Sequence, residues 1–427
     1  MDRSPKARPD SDPTSAPREA PIFVDGVAYD VAAWARKHHP GGEIVMRFLG
    51  LDATTVFAAF HGPRARKALR AMRWKGEAVA PPPPTPGADV EEDFAALRAQ
   101  AEADGLFVPD RGYFYLRGAA IVGGVAASVA TVALAPAWWP VAALGLGLAW
   151  QQAGWLTHDF LHHSVYDDRR LGDRVGLWMG GVVMGFSGDW WKRKHNTHHA
   201  LPNVRGVDED IDTLPFLSFS ERDLDGASPF ARWMVRLQTV TALPVLSTAR
   251  INWWTQSFLW ALRAPNVQHR GWEIASMVAH HAWSLGMLAL LPTWGARAGF
   301  FLVSQLSSGL MTGAVFLVGH NARPMYDRAD APGFYALQLQ TGQNVRAPFG
   351  TRWFYGGLDR QIEHHLFPTM PRHHHDRVRD AVVALCKRHN LPYTERGFFE
   401  GLGDVARVMA RVSRAAWRGV VPEPAAG

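Results

Sequence analysis

Three short histidine clusters punctuate the chain. The first is His158-Asp159-Phe160-Leu161-His162-His163, the second His195-Asn196-Thr197-His198-His199, and the third Gln361-Ile362-Glu363-His364-His365. Histidine supplies 19 of 427 residues, so chance gives an H-x-x-H-H string only roughly 0.04 times in such a chain. On a helix, residues three and four apart share a face. His158 and His162 therefore point together, as do His195, His198 and His199. Neutral imidazole is a ligand for zinc, copper, iron or nickel, and with His320 the set is too large for one ion. Two ions with four or five ligands each would use it. The neighbouring carboxylates, Asp159, Asp208, Asp210 and Glu363, are too few for a carboxylate-rich bundle site. They read as acceptors for ring N–H groups, which fix the tautomer of a ligating histidine.

A second chemistry sits upstream. His39-Pro40-Gly41-Gly42 is followed by Asp52-Ala53-Thr54, Phe57, Phe60 and His61. Two neutral imidazoles can clamp haem iron from opposite faces, leaving no position for oxygen, so such a site passes electrons. The Pro-Gly-Gly turn directs His39 and lets backbone approach the porphyrin, with Phe57 and Phe60 as walls. The lone cysteine, Cys386, excludes an intramolecular disulfide framework and any metal site built on several cysteines.

These groups need elements to hold them. Residues 1–20 read as a disordered tail without the apolar run of a signal peptide. Residues 21–79 read as a small α+β haem domain: strands at Ile22–Val24 and Val27–Val31 around Asp25-Gly26, then short helices over Ala32–Lys37 and Glu43–Leu49. Residues 80–92 contain a proline run, a stiff spacer. Residues 93–420 form the membrane part. No charge occurs from Gly118 to Thr157, twice what one bilayer crossing needs, and Pro136 to Pro140 with Trp138 and Trp139 would turn one span into the next. Ile274–Ala296 and Ala298–Ala322 repeat the plan. The expectation is four spans as two hairpins, with interfacial segments at Val182–Phe186 and Arg250–Leu262 and all three histidine boxes in a cytosolic cap. Basic residues after the first hairpin (Arg169, Arg170, Lys192, Arg193) fit that side. Trp155, Met184, Met277 and Met311 are candidates to line an apolar tunnel, although such residues more often simply pack. His269, His280, His281, His373, His374, His375 and His389 read as surface, interface or span residues outside the site. A basic excess of +6 suits a membrane surface; no nucleic-acid signature accompanies it.

The residues 21–79 resemble cytochrome b5, which makes His39 and His61 the axial haem ligands. Together with the three boxes, Gly154-Trp155-Leu156, Trp190-Trp191-Lys192, Asp208 to Pro215 and Gly356-Gly357-Leu358, the chain resembles the front-end membrane fatty acyl desaturases, with Gln361 as their mark. The resemblance implies haem b, two non-haem irons held by His158, His162, His163, His195, His198, His199, His320, Gln361, His364 and His365, and O2 as co-substrate. It also implies an acyl-CoA or phospholipid substrate and a cytochrome b5 reductase-type donor. The activity implied is insertion of a cis double bond between an existing one and the carboxyl end, with Δ6 or Δ5 favoured. The location implied is the endoplasmic reticulum or a bacterial inner membrane. A hydroxylase or sphingoid-base desaturase would use the same scaffold, and a zinc hydrolase carrying a haem domain is the reading from another class.

Overall fold

The computed structural model describes residues 20–39, 41–83, 87–348 and 350–419. Pro40, residues 84–86 of the proline run and the tail before Ala20 lie outside them. The N-terminal unit starts with β1 (Ile22–Val24) and β2 (Val27–Tyr29), paired antiparallel with Val24 opposite Val27. Asp25 and Gly26 turn the chain with φ of 52° and 72°, the positive pair a tight hairpin requires. Next come α1 (Ala32–His38), a 3-10 helix at Gly42–Phe48 where a short helix was expected, α2 (Thr54–Phe60) and α3 (Pro63–Arg70). Ile22, Val24, Tyr29, Val31, Leu49 and Leu69 form their core.

After the spacer, α4 (Ala88–Ala103) leads into a hairpin of α5 (Arg111–Leu134) and α6 (Trp139–Leu161). Pro136 sits in the turn between them, where its ring cannot continue a helix. Then follow α7 (Arg169–Trp178), a π-helical turn at Met179–Met184, α8 (Gly188–Ala200), α9 (Pro229–Ser247), α10 (Ala249–Arg263), α11 (Arg270–Leu288) and α12 (Trp294–His320). The C-terminal part is α13 (Phe334–Thr341), β3 (Asn344–Arg346), α14 (Arg352–Tyr355), α15 (Gln361–Leu366), α16 (His375–Arg388), β4 (Glu395–Gly397) and α17 (Phe398–Arg418), with β3 and β4 parallel.

Among the described residues, two helices are long and apolar enough to cross a membrane, α5 and α12. On α5 the apolar side chains face outward: Leu116 is 71% and Leu134 85% exposed, the pattern of a lipid-facing helix rather than a soluble core helix. Their neighbours α6 and α11 are less apolar in composition, and the polar groups they carry are buried, Gln151, His158 and Asp159 on one and Glu273 and His280 on the other. α6 and α12 meet closely at Gly147, where a Cβ would stand 3.0 Å from the Ser304 carbonyl oxygen. A small residue there lets the two backbones approach.

Two expectations are corrected here. Val182–Phe186 is not interfacial. Met184 and Phe186 are buried, and the turn packs so tightly on α11 that a Cβ on Gly181 would collide with Ser276. Arg250 is also buried, its guanidinium bonded to Gln305 Oε1 (2.9 Å) and stacked on Trp150. The helix α10 still shows an exposed face, at Asn252, Thr255, Leu259 and Leu262.

Candidate metal centre and haem cavity

Box one closes α6, box two closes α8, and His320 is the last residue of α12. Three helix C-termini, each carrying partial negative charge that favours a cation, thus converge with α15, which carries box three. Their histidines fall into two groups. The donor atoms of His158, His162, His195, His199 and His364 all lie within 4.8 Å of one another, and so do those of His198, His320 and His365. Successive helical side chains diverge by about 100°. The paired histidines of boxes two and three are therefore split, and the expectation that His195, His198 and His199 point together is corrected: His195, His199 and His364 serve one group, His198 and His365 the other. The two groups abut, with the His199 and His365 rings stacked at 4.0 Å.

The spacing within each group suits an ion. His195 Nε2 lies 2.9 Å from His162 Nε2 and 3.0 Å from His199 Nε2, while His320 Nε2 lies 3.3 Å from His198 Nε2 and 3.1 Å from His365 Nε2. Nitrogens bound at about 2.1 Å and at right angles stand about 3.0 Å apart, and one shared proton cannot satisfy three converging lone pairs. His158 Nε2 and His364 Nε2 are buried without a hydrogen-bond partner. Burial holds His195, His199, His364 and His365 well below the ordinary histidine range, so they offer neutral nitrogens, as ligation requires. Burial pulls His198 down as well, but the charge of Asp208 outweighs it and raises the group.

Gln361 reaches the three-histidine group, its amide nitrogen 2.7 Å from His320 Nε2. Turning that amide over would present its oxygen instead, and the two orientations look alike in structures. His163 does not reach either group. With φ 59° it turns off the end of α6, and its Nε2 stands 3.8 Å from Asp173.

The carboxylates expected to hold ring N–H groups divide. Asp208 does so, accepting from His198 Nδ1 at 2.9 Å and from the Asn203 N–H at 2.8 Å. Asp210 is 3.6 Å from the same ring and pairs with Lys194 at 3.1 Å. Asp159 pairs with Arg372 instead, at 3.2 Å. Glu363 accepts from Asn344 Nδ2 (2.8 Å) and Tyr393 OH (2.7 Å), which locks α15 rather than a histidine. Two orienting groups escaped the sequence reading. Gln338 Oε1 accepts from His365 Nδ1, and the Thr341 carbonyl from His320 Nδ1, both at 2.9 Å. His375 is a further correction. It is buried, not interfacial, with its ring 5.9 Å from that of His364. His389 is partly buried and pairs at the surface with Asp93 at 2.8 Å.

In the N-terminal unit the His39 and His61 rings face one another with centroids 5.8 Å apart. Two axial bonds of about 2 Å plus two ring radii come to roughly 6 Å, so the gap fits a bis-histidine haem iron. The Gly41 N–H donates to His39 Nδ1 (3.0 Å) and His61 Nδ1 donates to the Phe57 carbonyl (3.1 Å). Burial lowers the two groups to about 4 and about 3. The cavity between them, about 280 Å³, is walled by Ile44, Val45, Phe57, Leu69 and Met72. It does not end at the small domain: His162, His163, Arg169, Lys192 and Asn196 line its far side. His162 thus borders both sites, and the Phe60 ring stands edge-on 6.3 Å from that of His199.

A larger cavity of about 520 Å³ opens on the other side of the metal groups. Trp190, Leu217, Leu246, Trp253, Phe316 and Leu317 give it an apolar stretch of wall, Lys194, Glu209, Asp210 and Asp212 make another part polar, and His195, His198 and His320 also line it. None of Trp155, Met184, Met277 and Met311 lines it; Trp155, for one, is a core residue whose Nε1–H donates to the Phe354 carbonyl at 2.9 Å.

Residues 135–397 match the fatty acid desaturase family model, and residues 15–78 match the cytochrome b5-like haem/steroid-binding domain. The chain belongs to the fatty acid desaturase family. Over 94% of its length the desaturase is 34% identical to an acyl-lipid (9-3)-desaturase of Physcomitrium patens, of which 77% is covered. It is 33% identical to a Delta(6)-fatty-acid desaturase of Caenorhabditis elegans (88% of this chain, 93% of that one). It is also 33% identical to a Delta(8)-fatty-acid desaturase of Euglena gracilis (93% and 96%). The family is membrane-bound and uses a di-iron centre, and the cytochrome b5-like domain implies haem; the histidine geometry fits both.

Proposed function

We propose that this desaturase works at the front end of its substrate, placing a cis double bond between an existing one and the carboxyl end of a polyunsaturated acyl chain. The observation that carries the reading is the order of the sites: haem cavity, paired histidine groups and partly apolar cavity adjoin one another, with His162 on the first boundary and His195 and His198 on the second. The named activities of the Caenorhabditis elegans and Euglena relatives support it. A Δ6 or Δ5 product is favoured.

An unactivated methylene offers no acid, electrophile or leaving group, so acid–base and nucleophilic catalysis do not reach it. What a di-iron centre supplies when bound is O2-dependent removal of two hydrogens from neighbouring carbons. The balance is one acyl CH2–CH2, O2, two electrons and two protons in, and one CH=CH and two waters out. On our reading His158, His162, His195, His199 and His364 hold one iron, and His198, His320 and His365 with Gln361 hold the other. Asp208, Gln338 and the Thr341 carbonyl hold the rings of the second set in place. His39 and His61 would hold haem b, and Phe60, which lines that cavity, stands edge-on to His199. The wall of Trp253, Phe316 and Leu317 excludes water and fixes the register of the chain.

The division into residues 21–79 for haem, 80–92 as spacer and 93–420 as desaturase unit belongs to this proposal. So do four spans made by α5, α6, α11 and α12, a cytosolic face for both metal sites, and residence in the endoplasmic reticulum or a bacterial inner membrane. An acyl-CoA or phospholipid carries the substrate, and a cytochrome b5 reductase-type protein reduces the haem. The test is a fatty acid profile: expression in a host without polyunsaturated acids, feeding of linoleate, α-linolenate or longer polyenes, and location of new double bonds by mass spectrometry. A new bond on the carboxyl side of an existing one is expected. A hydroxylated product or a modified sphingoid base would overturn the proposal.

A further inference from the structure

Haem b is an apolar disc with two carboxylates on one edge. Around its cavity the walls contributed by the small domain are apolar apart from His39 and His61. Among the described residues, the charged groups lining it are Arg169 and Lys192, and both come from the desaturase unit. His163 stands beside them, largely buried, and its Nδ1 has no hydrogen-bond partner. Lys192 is 7% exposed and is held at 2.5 Å by Asp173, a residue that does not line the cavity. Arg169 lies at the rim and straps the two units together, donating to the Phe60 carbonyl at 2.7 Å.

We propose that the carboxylate edge of the haem is seated on the desaturase unit by Lys192, Arg169 and His163, so that the haem itself joins the two units. The inference rests on reading this cavity as the haem site. Elsewhere in the cavity the carboxylates would meet only neutral donors such as Asn196, Thr369 and Trp34, a poor exchange for water for an ion, whereas charge-assisted hydrogen bonds to Lys192 and Arg169 are among the stronger polar contacts. The extra histidine of box one gains a role that iron ligation does not give it: its unpartnered Nδ1 is a donor for a carboxylate oxygen. The arrangement also points one edge of the macrocycle toward His162, which belongs to the five-histidine group.

The test uses the full chain, stripped of haem and reconstituted with either haem b or its dimethyl ester, which lacks the two negative charges. The readouts are the rate of haem loss to apomyoglobin and the haem midpoint potential. With haem b, Lys192→Ala and Arg169→Gln should each lose haem about tenfold faster than the parent chain, and the potential should fall because a cation that favours the reduced form is gone. The parent chain loaded with the ester should show the same faster loss, and Lys192→Ala loaded with the ester should be no worse than either change alone. Effects of ester and variant that simply multiply would overturn the proposal, as would variants that hold haem b as tightly as the parent. The ester in the unaltered chain keeps the test decisive even if a variant folds poorly. A parent chain with no Soret band would instead overturn the haem reading beneath it.

Discussion

Asp208→Asn changes one atom and should remove one iron. Asp208 is fully buried, and three donors address it: His198 Nδ1–H and the Asn203 N–H meet Oδ2 at 2.9 and 2.8 Å, and the Asp210 N–H meets Oδ1 at 2.9 Å. A carboxylate accepts all three. An asparagine has one accepting oxygen, so either orientation sets its NH2 against at least one donor. Leaving a buried donor unsatisfied costs about 1–3 kcal/mol, and the charge that balances the His198 side is lost as well. Groups that orient a metal-bound histidine are worth about 10- to 100-fold in metal affinity or activity, which matches that cost at about 1.4 kcal/mol per tenfold. The control is Asp210→Asn. Asp210 is half exposed and 3.6 Å from the ring, so its loss should change affinity by about threefold or less. The assay is non-haem iron per chain by elemental analysis under a chelator titration, read beside desaturation. Asp208→Asn should release one of the two irons at much lower chelator concentration while the Soret band stays. If it holds both irons as the parent does, the argument that Asp208 fixes His198 for ligation is wrong.

Three further outcomes follow from the same geometry. His364→Ala should abolish desaturation with haem absorbance intact, whereas His39→Ala should remove the haem spectrum and cut activity even beside a separate carrier; the reverse pattern in optical spectra and product yield would refute the site assignment. His39 and His61 fall from 6.5 to about 4 and about 3 on folding. The folded pocket therefore favours neutral rings, and its stability is fully present above pH 6.5 and drains away as pH falls toward 4 and 3. Soret absorbance of the loaded chain should hold flat above 6.5 and decline below it, and a decline on the alkaline side instead would contradict the burial argument. Gly356→Ala should destabilise the chain by about 2 kcal/mol or more, read as a drop in thermal midpoint. Its φ of 62° disfavours a side chain, and a Cβ would collide with the buried Trp155 that joins α6 to the segment before box three.

The ligands were legible because helical spacing converts sequence into a shared face: His158 with His162 and His195 with His199 meet as their four-residue separation requires. The β1–β2 hairpin and the α5–α6 turn were equally local, marked by Asp25-Gly26 and by Pro136. What escaped is long-range. Gln338 and Asn344 show no pattern of their own; they matter because α13 and β3 return beside box three. His375 ends a run of three histidines that reads as interfacial, yet α16 packs it against box three. Hydropathy also misjudged Val182–Phe186, since a glycine-rich turn buries itself by close approach to α11 rather than by bulk. The expected carboxylate roles failed for Asp159 and Glu363 because each found a nearer partner, Arg372 in one case and the Asn344–Tyr393 pair in the other.

The most direct test of the account is a single turnover. One haem holds one electron and each bond needs two, so purified chain is mixed with a polyunsaturated acyl substrate, O2 and a counted amount of a reductant that acts through the haem, and haem oxidation is followed optically while the product is quenched and counted. The account predicts that haem oxidation and double-bond formation rise together, at two electrons per bond, and that His364→Ala loses the product and the substrate-dependent phase of haem oxidation. Product formed while the haem stays reduced, or the same substrate-dependent oxidation in His364→Ala, would contradict the claim that haem cavity and histidine groups form one electron path.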